Sequence, residues 1–459
     1  MKNLHKITVI LLFLIFQSFC TSCDKLVEVD MPGNQVGSEE VFKDVQTANA
    51  ALAGLYASLY NNSVLAGDQL GKLLGIYTDD LDGYFTSGSG GVIDIYYNQQ
   101  LPSNLDITNV WINAYNQIYQ ANAIISGAEN SKSLSISDKS RIKGEALLIR
   151  SVILFYLQQL YGDIPYVTTT DYQKNQNISK TPASDVLSNL EADLSATIAL
   201  LGDEYRSSER IYPNKQVAKL LLAKVLITKK DWGKAEVLLK EILQNPLYQF
   251  QNDLSKVFNK NSTHILWQLK PIVQGDATKE YQLYYFENAA PRSYALTEDL
   301  MGSFNPGDLR KQSWTFPVVF AGKTYYRYGK YKVKDGTNTT EYSIIFRLEE
   351  VYLLLAEALT QQNKVVEAVP YLNKTRTRAG LTLLSTGISK EDCLNEILLE
   401  GRKEFFAEMG HRFLDLKRME KLNILSAVKP NWKSYHNLWP LPQNELLANP
   451  KLNPQNTGY

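Results

Sequence analysis

Over residues 110–129, VWINAYNQIYQANAIISGAE, apolar positions return every third or fourth residue, which predicts a helix with Trp111, Tyr115, Ile118, Tyr119 and Ile125 on one face. The same period runs through SDKSRIKGEALLIRSVILFYLQQLYGDIPYV, where Ser137 reads as the N-cap. Gly162 and Pro165 mark its end, because glycine permits the turn and proline cannot continue a helix. PASDVLSNLEADLSATIALL (182–201), entered by Pro182, predicts a third amphipathic helix.

Two later stretches repeat one pattern. LLLAKVLITKKDWGKAEVLLKEIL begins at Leu220 and LLLAEALTQQNKVVEAVPYLNKTR at Leu353. Each reads Leu-Leu-Leu-Ala, then eleven residues, then Ala, so Ala223 and Ala235 correspond to Ala356 and Ala368. Alanines at these places let two helices approach closely, and the polar residues between reverse the chain. The pattern is that of tetratricopeptide helix-turn-helix units, here dispersed along the sequence. It predicts a mainly α fold of about four such pairs: 110–129 with 138–161, 182–201 with 214–228, 232–244 with a neighbour, and 346–362 with 365–378. The segments 62–110 and 250–345 differ, being rich in Tyr, Gly and Asn with short β-like runs such as HILWQLKP and KTYYRYGKYKV. Irregular insertions on a helical scaffold are where binding groups are expected.

The start of the chain has its own logic. Lys2 and Lys6 precede an apolar run from Ile7 to Phe16, too short for the ~20 residues of a membrane span but suited to a secretory signal. Thr21-Ser22-Cys23 resembles a bacterial lipobox, although Cys20 stands where Leu is usual. The expectation is a signal peptide over 1–22 and lipid on the Cys23 sulfur; ordinary secretion with cleavage nearby is the other reading. Cys393 lies in a helical pattern without a partner and reads as a small buried hydrophobe. Lys plus Arg and Asp plus Glu number 48 each, so no basic excess exists to displace counterions from nucleic acid, and that partner is discarded. The 28 tyrosines suit sugar rings, protein interfaces and helix packing alike.

Enzyme signatures are poor. No H-E-x-x-H or G-x-x-x-x-G-K-[ST] occurs, the C-x-x-C of Cys20 to Cys23 falls in the lipobox-like segment at the end of the signal, and SGSGG lacks the G-x-S-x-G spacing. TDDLDG (78–83) has Thr78 at the first position of a calcium loop and Ser89 at the last, where Glu is required, so no metal or other cofactor is expected. Arg402, Glu404, Glu408, His411, Arg412, Asp415 and Arg418 form a dense charged run whose members occupy several helix faces, which favours structural ion pairs over catalysis.

FRLEEVYLLLAEAL, VPYLNKTRTRAGL, EGRKEFFAEMGHRFLDLKR and LWPLPQNELLANPKLNPQNTGY together resemble the SusD/RagB family of outer-membrane lipoproteins. LVEVDMP after Cys23, EEVFKDVQTANAALAGLYASLY, and ALTEDLMGSFNPGDLRKQSW agree in order. Glu349 stands where the family often has Ala, and Gly401 where Arg is common. The resemblance implies one domain over 23–459, with an N-terminal part to about 230 and a C-terminal part from about 250. It implies a non-enzymatic binder of glycan, or sometimes peptide, held by lipid on the outer face of the outer membrane. There it would cap a SusC-type TonB-dependent transporter in nutrient uptake. It draws the ligand site from the two insertions, where aromatic rings and polar groups coincide: Asp80, Tyr84, Tyr96, Tyr97 and Asn98 in the first, Tyr285, Arg292 and Trp314 in the second. A surface hydrolase and a protein-binding scaffold without saccharide affinity are the competing readings.

Overall fold

Short polar side chains start most of the long helices by accepting the first free backbone N–H groups. In the computed structural model, which describes residues 38–85 and 91–459, Asp44 caps α1 (Val45–Asn62). The short α2 (Leu70–Tyr77) follows, and Asn104 caps α3 (Leu105–Asn130). Ser135 caps α4 (Ile136–Tyr161), two residues before the expected Ser137, because the Ser135 hydroxyl reaches the Asp138 N–H. Pro182 opens α5 (Ala183–Leu200), Asn214 caps α6 (Lys215–Thr228) and Asp231 caps α7 (Trp232–Gln244). Beyond the second insertion come α8 (Leu348–Gln361), α9 (Val365–Arg378), α10 (Lys390–Phe405, capped by Ser389) and α11 (His411–Arg418). Cys23 and Ser89 lie outside the described residues.

The helices pack as a succession, α3 on α4, α4 on α5, α5 on α6, and so on to α9. The two alanine repeats are the pairs α6–α7 and α8–α9, and Ala223, Ala235, Ala356 and Ala368 are all fully buried. The repeats dispersed in sequence are consecutive in space, since α7 packs directly on α8 and residues 245–347 leave the stack and return to it. On α3 the buried face is Ile107, Val110, Trp111, Ala114, Ile118 and Ala121. Tyr119, expected on that face, is 54% exposed, because alanines rather than tyrosines fit the close approach to α4.

The two insertions meet in one sheet. β1 (Leu81–Gly83), from the first, pairs antiparallel with β3 (Tyr294–Leu296), from the second, in register Asp82 to Ala295. The hairpin of β4 (Thr315–Phe320) and β5 (Lys323–Tyr328) completes the order β1-β3-β5-β4. β2 (Ile265–Leu269) and β6 (Ser343–Arg347) form a separate antiparallel pair leading into α8.

The charged run of α10 and α11 is structural, as expected. Glu404 meets Arg347 at 2.6 Å and Arg378 at 2.5 Å, and three surrounding guanidinium groups more than offset burial, holding its carboxyl well below the usual range. Arg310 joins Glu400 at 2.9 Å, and Arg418 joins Glu357 at 2.7 Å and Asp415 at 2.8 Å. His411 stacks on Phe405 at 4.2 Å, and burial pushes its imidazole toward the neutral form. The two departures from the family pattern have local reasons. Glu349 is a fully buried partner of Arg347 and Arg378, and a Cβ at Gly401 would lie 3.2 Å from the Asp415 carboxylate where α10 approaches α11. Cys393 is fully buried and free, with its sulfur 3.3 Å from the Thr360 hydroxyl.

Candidate functional site

Asp79 and Asp80 follow α2, and the charged helices hold both in place. Arg412 grips Asp79 with two parallel hydrogen bonds of 2.8 Å each. Arg402 donates to Asp80 Oδ1 at 3.0 Å and to the Asp79 carbonyl at 2.8 Å, and pairs with Asp299 at 2.8 Å. Bidentate guanidinium–carboxylate contacts of this kind fix direction as well as distance. The next residues are thereby aimed along β1, and Thr297 locks them to β3: its N–H donates to the Asp80 carbonyl at 3.1 Å and its hydroxyl to the Asp79 carbonyl at 2.6 Å.

Above this anchor lies a cleft of about 660 Å³. Its walls are Thr78, Asp79, Asp82 and Tyr84, then Tyr96 at the end of the helical turn Val92–Tyr96 with Tyr97 and Asn98, the β3 end with Glu298 and Asp299, Lys323–Tyr326 of β5, and residues 428–431 from the C-terminal region. Two edge-to-face tyrosine pairs furnish it: Tyr84 with Tyr325 at 5.4 Å between ring centres, and Tyr96 with Tyr97 at 4.9 Å. The Tyr96 hydroxyl donates to Asp82 Oδ1 at 3.2 Å, and the Lys429 ammonium sits 4.3 Å from the Tyr96 ring centre. Lys429 also donates to the Ile76 carbonyl at 2.6 Å, and Asn431 to the Tyr97 carbonyl at 2.9 Å, so the C-terminal loop fixes the aromatic turn. Lys323 lies 5.1 Å from the Tyr325 ring centre on the opposite wall.

Burial sets the charges here. It pushes Lys429 down to about 8, against the attraction of Asp82 and Asp79, and raises Asp82 despite the Tyr96 hydrogen bond. Burial raises the Tyr84 and Tyr96 phenols to about 12, so both stay neutral hydrogen-bonding groups at physiological pH. The cleft thus offers partly exposed tyrosine rings beside both donors and acceptors, the combination that suits the C–H faces and hydroxyls of a polyol. Among the described residues no cluster of His, Cys, Asp and Glu could hold a metal ion.

Four of the eight sequence-predicted ligand residues, Tyr84, Tyr96, Tyr97 and Asn98, line this one cleft. Asn98 takes a left-handed φ of 53° and donates to the Tyr77 carbonyl at 3.0 Å, which leaves its side-chain oxygen without a protein partner. Two candidates lie outside the cleft. Asp80 is 1% exposed and spent on Arg402; Asp82, on the next turn of the pleat, reaches the cleft instead. Trp314 is fully buried, with its indole N–H on the Leu254 carbonyl at 3.2 Å and its ring against Phe258, so it has no face to offer a ligand. Arg292 is exposed just ahead of β3 and lines no cavity wall here, and Tyr285 borders a separate cavity. Lys323, Tyr325, Lys429 and Asn431 were missed. Tyr325 and Lys323 stood in the flagged run KTYYRYGKYKV, whereas nothing in sequence joins residue 431 to residue 97.

Comparison with known proteins agrees with this architecture. Residues 35–227 match a family model described as starch-binding associating with outer membrane, and residues 312–459 match the SusD family model. SusD-like proteins P2 and P25 of Formosa agariphila are 28% and 24% identical to this chain, covering 99% and 98% of it and 99% of their own lengths. A SusD superfamily protein from Bacteroides vulgatus superposes with a TM-score of 0.80 at 22% identity, over 91% of this chain and 99% of its own. Surface glycan-binding protein A from Bacteroides thetaiotaomicron, solved in complex with laminarihexaose, has a TM-score of 0.75 at 18% identity, over 90% of this chain and 99% of its own. With matching models in both halves, relatives aligned end to end and the same helical fold, the chain belongs to the SusD/RagB family.

Proposed function

We propose that this chain is a surface glycan-binding lipoprotein that captures oligosaccharide in the tyrosine cleft and hands it to a SusC-type TonB-dependent transporter. The observation that carries the reading is the cleft itself: two tyrosine pairs with Asp82, Lys323, Lys429 and Asn431 around them. Glycan binding is recorded for the surface glycan-binding protein with the same fold, and its extension to this chain rests on that fold plus this cleft. Cys23 is the lipid anchor, and the domain it tethers faces outward from the outer membrane; protease shaving of whole cells tests the orientation. The sheet shared by β1 and β3 supports one folded unit from both halves.

The test is calorimetry of the lipid-free protein against a panel of oligosaccharides, followed by Tyr84→Ala, Tyr96→Ala and Tyr97→Ala. Losing one stacking ring removes on the order of 1–2 kcal/mol of apolar contact, an affinity loss of about five- to thirtyfold. If all three variants fold and bind as the parent does, the cleft is not the site. One observation favours a hydrolase: Asp82, with its raised carboxyl, shares the cleft with Glu298. Release of new reducing ends from a bound glycan would establish that reading, and unchanged ligand would reject it.

A further inference from the structure

Beside the tyrosine cleft is a second cavity of about 180 Å³, lined by Tyr281, Tyr285, Phe316, Arg327, Tyr331 and Lys332 among others. Its chemistry differs from that of the first. The Arg327 guanidinium lies 4.6 Å from the Tyr285 ring centre and 5.0 Å from that of Phe316, between two aromatic faces. Lys332 stands 6.0 Å from the Phe316 ring centre, and Tyr281 stacks on Tyr285 at 4.8 Å. Two cations thus crowd one aromatic wall, and no carboxylate lines the cavity.

Among the described residues Arg327, like Arg210 and Arg292, forms no ion pair with a carboxylate. Arg310, Arg347, Arg378, Arg402, Arg412 and Arg418 each meet a carboxylate. Arg327 donates to the Phe286 carbonyl at 3.0 Å and also interacts with the Tyr285 hydroxyl, neither of which neutralises its charge, and five N–H donors leave others for a ligand. The nearby carboxylates are turned elsewhere. Glu287 accepts the Tyr285 hydroxyl at 2.5 Å, and Glu341 takes the backbone N–H groups of Lys332 and Val333 at 3.0 Å. A guanidinium held between two rings and paired with no carboxylate is arranged for a planar or tetrahedral oxyanion. The strand also connects the two cavities. Tyr325 of the first and Arg327 of the second are two residues apart on β5, on one face of the pleat and about 7 Å apart.

We propose that this cavity is a subsite for an acidic sugar, in which Arg327 and Lys332 take the carboxylate or sulfate of a glycan whose neighbouring residue stacks on the tyrosines of the cleft. The proposal rests on the glycan-binding reading and narrows it to anionic saccharides. Calorimetry of the full mature protein would compare oligogalacturonates, carrageenan oligosaccharides and neutral cello-oligosaccharides of equal length. The first two separate carboxylate from sulfate as the source of the oxyanion.

At least one anionic probe should bind about tenfold or more tightly than the neutral one, since a hydrogen bond to a charged group is of that worth. The preference should fall as salt rises from 0.05 to 0.5 M. Arg327→Gln should abolish the preference while leaving neutral binding unchanged, and Arg327→Lys should retain part of it, with melting curves confirming that each variant folds. Equal affinity for charged and neutral probes, or an unaltered preference in a folded Arg327→Gln protein, would overturn the subsite and leave the cleft reading standing. Absence of binding by every saccharide would overturn both.

Discussion

Replacing Arg412 with Met tests whether the charged helices build the binding cleft from a distance. In the parent, Asp79 is 6% exposed and receives two 2.8 Å hydrogen bonds from Arg412, with Arg402 at 3.3 Å as its other cationic partner. Arg412→Met keeps the side-chain volume and strands a buried carboxylate. Removing one partner of a buried pair costs about 3–5 kcal/mol, and the remaining Arg402 contact places this case near 3. Unfolding entropy of about 2.1 cal/mol/K per residue over the roughly 420 described residues gives about 0.9 kcal/mol/K, so the melting temperature should fall by about 3 °C. The pH dependence has a definite sign. Asp79 is held below its ordinary value, because the two guanidinium groups outweigh burial. Its contribution is therefore complete above the unfolded carboxylate pKa and is lost as pH falls through the lower folded value. The gap between parent and variant should be full at pH 7 and close in acid, where protonation removes the stranded charge. Calorimetric melts at pH 7 and pH 3, with glycan titration at pH 7, give the answer. Because Asp79 anchors the backbone leading to Asp82 and Tyr84, the variant should also bind more weakly. A variant that melts within a degree of the parent at pH 7 refutes the argument.

Ala356→Trp should overpack α8 against its neighbours and cost roughly 1–3 kcal/mol, since Ala356 is fully buried; an unchanged denaturation midpoint would contradict the repeat alignment. Lys429 is lowered to about 8 by burial, so between that value and its unfolded value the unfolded chain binds more protons and stability rises with pH. Lys429→Met should remove that part of the slope between pH 8 and 10, and parallel slopes in parent and variant would count against it. Cys23→Ala should leave the protein unlabelled by radioactive palmitate and uncut or periplasmic; a labelled variant would place the lipid elsewhere.

The helical half of the fold was legible because its information is local. The apolar period of α3 and α4 and the alanine spacing shared by α6–α7 and α8–α9 each lie within one or two dozen residues. What sequence reading missed depends on pairings across the chain. α7 abuts α8 although an insertion separates them, and nothing local to either helix says so. Asp80 and Trp314 show the same limit from the other side. Each has the right chemistry in the right segment, but Asp80 lies just before β1 and is held by Arg402, and Trp314 ends a helical turn with its indole packed against Phe258. Asp80 was claimed by an arginine more than three hundred residues away, which residue type alone could not reveal. The residues whose roles were legible as a group, the charged run from Arg402 to Arg418, prove to be the link between the two halves of the problem. They were read as pins for the C-terminal helices. Through Arg402 and Arg412 they also fix the strand that carries Asp82 and the Tyr84 after it, so a stabilising network and the proposed ligand site are one connected structure.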